Sequence, residues 1–247
     1  MKMKKHLALQ SFNSNLFSKE DKFLVHTVAN QFHDIFTNYK ISKVVNIGNS
    51  FSWVSDYLKT SKHCDVSFFA YSGSSLTLDK SIGQMIDPIF DLKLYRKNVS
   101  LESISNLHTM FNNFGFTLKS LTTCKRMFID MTKTGKGLRS FIFELELFIV
   151  NCDKRNRVEN LRNFQANNYI CVFQPSYCRD NNLKELFSKY NLILLNTDSI
   201  DEARLENFCD NDDVRLVPSN RIDENFKIVN QLNQTELSTS KHTFFNL

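Results

Sequence analysis

The residues best placed to do chemistry lie in the run Arg126-Met127-Phe128-Ile129-Asp130-Met131-Thr132-Lys133-Thr134-Gly135-Lys136-Gly137-Leu138. An apolar stretch ends in an acid. A loop with two lysines and two glycines follows, and an amphipathic pattern then runs to Val150. Glycine permits positive φ and close backbone approach. Free amides at a helix start, and the dipole behind them, favour an anion. Thr134 adds a hydroxyl donor, and Lys133 and Lys136 add positive charge. These are the ingredients of a phosphate cradle, with Asp130 at its edge and Thr134, Gly135, Lys136 and Gly137 around the anion. The same pattern also describes a tight strand-to-helix turn with solvated lysines.

A second loop has similar chemistry. Gly48-Asn49-Ser50 follows the β-branched run 43–47 and could present amides to a second phosphate. Its plainer reading is a glycine turn with Ser50 or Ser52 as a helix cap. A serine directly after a strand can also be a nucleophile, so a hydrolase built on Ser50 is a third reading. The hydrolase elbow needs Gly-x-Ser-x-Gly, and Ser52 stands at its fifth position. The histidines available to it, His63, His108 and His242, lie in no recognisable block. A phosphate loop of the Gly-x-x-x-x-Gly-Lys-Ser/Thr type fails because Asp130 and Gly137 occupy its outer positions.

These loops need elements to hold them. Val25, Val28, Phe32, Ile35 and Tyr39 recur at helical spacing and predict a helix over 19–39, opened by Ser18 with Asp21 as a capping box. His26 and His33 on it read as surface or boundary residues. Short apolar runs predict strands at 43–47, 66–71, 126–130, 169–173, 192–196 and 214–217. Between them lie helices at about 52–58, 101–114 (closed by Gly115), 138–150, 181–189 and 201–208. Leu138, Phe141, Ile142, Leu145 and Phe148 are expected on the inner side of the helix after the loop. Residues 77–99 lack a clean period and read as an excursion. The fold class is α/β: a mostly parallel sheet with helices on both faces. Such sheets bind ligands outside the carboxyl ends of their strands.

The run Met127–Leu138 resembles the signature of the type I phosphoribosyltransferase family, in which a buried strand ends in two acids and a third acid precedes a Thr-Gly-Lys-Thr loop. The resemblance implies a phosphoribosyltransferase-like fold and a site for phosphoribosyl pyrophosphate, with magnesium accompanying that ligand. It implies that Asp130 orients the ribose in the catalytic position. Thr134, Gly135, Lys136 and Gly137 would hold the 5′-phosphate, and Gly48, Asn49 and Ser50 the pyrophosphate. If active, the protein would be a glycosyl-transferring phosphoribosyltransferase, displacing at the ribose anomeric carbon. Three positions depart from the signature. Ile129 replaces the first acid, Lys133 the third, and Gly137 the final hydroxyl residue. These substitutions favour the alternative reading, a catalytically inactive nucleotide-binding or protein-interaction module.

Composition bounds the rest. The 247 residues are 42% hydrophobic and 23% charged, enough apolar content for a full core. We read 1–42 as an N-terminal segment and helix packing on the core, 43–220 as the α/β core, and 221–247 as a polar tail. A net charge of +5 spread along the chain gives no strong nucleic-acid signal. The six cysteines include no CxxC pair, so neither a structural zinc site nor a disulfide scaffold is expected, and no metal ligand set is read from the sequence. Cys171, inside an apolar run, reads as a buried small hydrophobe. No stretch approaches the roughly 20 apolar residues of a membrane span. The expected setting is cytoplasmic, the expected partner a small phosphorylated ligand, and a homodimer is compatible with the sequence.

Overall fold

The computed structural model describes residues 18–47, 51–69, 101–178 and 182–209. The chain begins with α1 (Lys19–Asn38). It continues through β1 (Lys43–Ile47), α2 (Ser52–Ser61) and β2 (Val66–Phe69). After α3 (Leu101–Asn113) and α4 (Leu118–Thr123) come β3 (Arg126–Met131), α5 (Lys136–Cys152) and α6 (Arg157–Asn167). The last elements are β4 (Asn168–Phe173), a 3₁₀ turn (Ser176–Cys178), α7 (Asn182–Leu186), β5 (Asn191–Leu194) and α8 (Glu202–Cys209). The expected strand at 214–217, the excursion at 77–99, the tail and Gly48-Asn49-Ser50 lie outside the described residues.

The five strands form one sheet in the order β2-β1-β3-β4-β5, with every pair parallel. This is a doubly wound order, and its switch point falls between β1 and β3. The connection β1–α2–β2 leads one way across the sheet and every later connection leads the other way. Crossovers of one hand must then place α2 on one face and α3–α7 on the opposite face. The core divides accordingly. Phe111, Leu121, Phe141, Phe148, Phe164 and Phe187 pack with Phe128 on one face. Val25, Val28, Phe32, Val54, Leu58 and Leu205 pack with Met127 and Ile129 on the other. Much of the phenylalanine excess is thus core, where rings meet edge-on, as Phe111 does with Phe148 at 5.5 Å between centroids.

Local sequence explains the ends of α1. Ser18 Oγ accepts the Asp21 N–H at 3.0 Å and the Asp21 carboxylate accepts the Ser18 N–H at 3.3 Å, which is the expected capping box. Asp21 also accepts from Arg204 Nε at 2.8 Å, tying α1 to α8. Tyr39 departs from the expected inner face. The helix ends at Asn38, and Tyr39 is 45% exposed with its ring 4.9 Å from that of Tyr169. The expected serine cap of α2 is replaced as well: Phe51 is the N-cap residue, with no side-chain hydrogen bond. Gly115 does close α3, at φ +74°.

The largest departure is α5. Residues 141–150 are all buried, so the helix is not amphipathic in its surroundings. It lies on the sheet and is flanked by α3 and α6. Glu144 and Glu146 are therefore inside, at 2% and 4% exposure. Glu146 accepts from Arg139 Nη1 at 3.1 Å and from Tyr190 Oη at 2.6 Å. Burial, then the neighbouring Glu146, pushes the Tyr190 hydroxyl well above its ordinary range. All six cysteines are free, and Cys171 is fully buried, with burial raising its thiol pKa. Among the described residues no helix is long and apolar enough to cross a membrane.

Candidate anion-binding site

β3 is the central strand of the sheet, and its carboxyl end opens directly into the loop 132–135 and α5. Gly135 is the N-cap residue of α5 at φ +74°, and as a glycine it has no side chain with which to cap the helix. Neither is there an acid in the first turn. A helix usually supplies one or the other, because its first amides lack intrahelical acceptors. Here a lysine, Lys136, takes the first helical position instead. A helix start with a glycine N-cap and a lysine in its first turn, at the crest of the central strand, is an arrangement that suits an anion.

The loop itself is held from behind. Thr132, 8% exposed, accepts the Gly135 N–H at its Oγ1 at 2.8 Å. The Thr132 N–H in turn donates to Phe173 O at 3.0 Å. Gln174, 4% exposed at the end of β4, donates its amide to Lys133 O at 2.9 Å and to Cys178 O at 3.0 Å. From α8, Glu206 pairs with Lys133 Nζ at 2.8 Å and accepts from Tyr177 Oη at 2.5 Å. One turn earlier, Glu202 accepts the Ser176 N–H at 2.8 Å and the Thr197 hydroxyl at 2.5 Å. The Lys133 bond, then that from Tyr177, holds the Glu206 carboxyl below the usual carboxylate range. The Glu206 carboxylate raises the Tyr177 hydroxyl.

The expected site residues fall into distinct places. Asp130, half-buried near the end of β3, shares the α5 face of the sheet with Phe128. Thr134 is exposed in the loop, while Lys136 and Gly137 form the first turn of α5. Gly135 has a different role from the one expected. Its amide is taken by Thr132, and a Cβ there would lie 2.3 Å from Leu183 Cδ2, so that side of the glycine is filled by α7 rather than open to a ligand. Lys133 is directed to Glu206. Ile129 is fully buried in the opposite face of the core. Gly48, Asn49 and Ser50 are outside the described residues; β1 and β3 are parallel neighbours, so the carboxyl ends of these two strands lie at the same end of the sheet.

Sequence reasoning pointed to the loops that hold Thr132 and Gln174 but gave no role to either, nor to Glu202 and Glu206. Thr132 carried a signal, since a threonine three residues before a glycine often shapes a turn by accepting a backbone amide. For the Gln174 and α8 contacts, made between segments far apart in the chain, we find no local signal.

Two further chemistries can be tested against this geometry. In the loop 130–137 Asp130 is the one carboxylate, and among the described residues no group of three His, Cys, Asp or Glu side chains could hold a metal ion. The residues described do not build a magnesium site. His63 precedes β2, and His108 Nδ1 lies 3.9 Å from Cys152 Sγ at the far end of α5, which places both at the amino end of the sheet. Ser50, the serine of the hydrolase reading, lies outside the described residues. The fold and this geometry define a doubly wound α/β protein in which α5 begins at the carboxyl end of the central strand. No family model, no curated protein and no solved structure matches the chain.

Proposed function

We propose that the chain is a phosphoribosyltransferase-like protein that binds a phosphorylated ribose or nucleotide at residues 130–137, and that it binds without transferring the phosphoribosyl group. The observation that carries this reading is the start of α5. It lies at the carboxyl end of the central strand beside the switch point, with a glycine as its N-cap residue and a lysine but no acid in its first turn. The run Met127–Leu138 adds the resemblance to a phosphoribosyl-binding loop. In this reading the amides of the first turn and Lys136 hold the phosphate, and Asp130 faces the ribose. Magnesium would arrive with a pyrophosphate ligand. The non-catalytic part rests on two residues. Ile129, where a transferase has an acid, is core, and Lys133, at the next acidic position, is bound to Glu206.

Lys136→Glu separates ligand binding from folding, because its two effects have opposite signs. A carboxylate in the first turn complements the helix dipole and should raise stability without ligand by about 0.3–1 kcal/mol. The same carboxylate repels a phosphate and should weaken binding of ribose 5-phosphate by roughly tenfold or more, about 1.4 kcal/mol or greater. Calorimetric titration of ribose 5-phosphate and of phosphoribosyl pyrophosphate, with and without magnesium, measures this. Equal affinities in both proteins would move the site away from α5. Failure of the wild type to bind any phosphorylated ligand would leave the protein-interaction reading in front. Release of pyrophosphate in the presence of a nucleobase would overturn the non-catalytic part.

A further inference from the structure

We propose that Arg126 and Asn168 hold a small inorganic anion, of the size of chloride or hydrogencarbonate, inside the amino end of the sheet. Arg126 opens β3 and is 2% exposed, yet its Nε and Nη1 have no hydrogen-bond partner. Asn168 is its in-register neighbour on β4 and is fully buried. The Asn168 amide nitrogen donates to Leu121 O at 3.1 Å and to Phe164 O at 2.5 Å. Those two bonds fix the carboxamide and leave Oδ1 without a donor. Strand neighbours in register send their side chains to the same face. The orphan donors and the orphan acceptor therefore project from adjacent strands to one face of the sheet, the face that α4 and α6 cover.

A charge distinguishes this place from the other buried orphans. Asn46 and Ser55 also lack partners, but they are neutral, and a water molecule satisfies such groups. A buried guanidinium needs its charge met as well. Among the described residues Arg126 forms no ion pair. Asp65 acts on it only from a distance and is itself 3.7 Å from Lys43 Nζ. The Phe116 ring, 5.3 Å from the guanidinium carbon, offers its π-face but no hydrogen-bond acceptor in the guanidinium plane. Burial lowers the Arg126 pKa to about 10, so the group stays cationic at neutral pH. Nε and Nη1 turn their N–H bonds to different edges of the guanidinium, so a small anion accepts a charge-assisted hydrogen bond from one of them. A protonated oxyanion such as hydrogencarbonate also donates to Asn168 Oδ1, so it meets the charge and the orphan acceptor together.

The test is thermal unfolding of the full chain at pH 8 and fixed ionic strength, in sodium gluconate exchanged stepwise for chloride or hydrogencarbonate. The wild-type Tm should rise with anion concentration, as binding to the folded state requires. Arg126→Met should lose that response and should unfold at a higher temperature than wild type in gluconate. Asn168→Asp supplies an internal carboxylate; it should also lose the response, and it serves if Arg126→Met does not fold. Lys136→Glu should keep the response, since α5 begins at the opposite end of the sheet. A wild-type Tm that is equal in all three salts would overturn the proposal and leave water as the occupant. A response that survives in Arg126→Met, or vanishes in Lys136→Glu, would place the anion elsewhere.

Discussion

Glu146→Ala is expected to destabilise the protein by about 3–5 kcal/mol, the range for removing one partner of a buried ion pair. Arg139 and Glu146 stand seven residues apart on α5, at 8% and 4% exposure, with Tyr190 closing the group from the start of β5. Solvent screening is weak at such burial, so the guanidinium loses a carboxylate that water does not replace. The Tyr190 hydroxyl loses its acceptor in the same step. Glu146→Gln keeps the volume and one acceptor oxygen, and its cost should be smaller, about 1–3 kcal/mol. Urea denaturation at unchanged m-value measures both. A loss below about 1 kcal/mol for Glu146→Ala would mean that the pair behaves like an exposed one.

Gly135→Ala is the second substitution with a large expected effect, about 2–5 kcal/mol in total. The left-handed backbone at φ +74° costs a residue with a Cβ about 1–2 kcal/mol. The new Cβ would also stand 2.3 Å from Leu183 Cδ2 and 3.3 Å from Leu186 Cδ1, and overpacking of this kind adds about 1–3 kcal/mol. The two parts can be separated. In a Leu183→Ala background the 2.3 Å clash is gone, while the backbone cost and the milder contact with Leu186 remain, so the double mutant should show a favourable coupling of about 1–3 kcal/mol. Strict additivity would show that α7 moves aside at no cost. Any loss of ligand binding in Gly135→Ala or Gly135→Val would then reflect a displaced α7 as much as an altered anion contact. Lys136→Glu is for that reason the cleaner probe of the loop.

The strands were legible because each is a short apolar run between breakers, and a strand buried on both faces needs only that. The runs 43–47 and 126–130 match β1 and nearly all of β3. The ends of β5 shifted, to Asn191–Leu194, because its partly exposed residues carry a weaker signal. Spacing also gave α1 its inner residues Val25, Val28 and Phe32, and its capping box. What spacing could not give was the surroundings of α5. Glu144 and Glu146 stand about 200° apart on a helical wheel, and only the neighbours of α5 bury both sides of the helix. At the candidate site the loop and its helix could be read from sequence, since both lie within a dozen residues. The bracing by Gln174, Glu202 and Glu206 could not, because it joins segments that meet only in the fold.

That bracing has a consequence for the energetics of any ligand at the start of α5. A loop that is mobile before binding must lose conformational freedom when it binds, and that loss is subtracted from affinity. The loop 132–135 has already lost it. Thr132 pins its turn, Gln174 holds the Lys133 carbonyl, and Glu206 fixes the Lys133 side chain. Folding orders this segment once, and an incoming anion meets amides that need not be ordered again. Preorganisation of this kind lets a site of few contacts hold its ligand, and it makes the residues behind the loop as consequential for binding as those that face the anion.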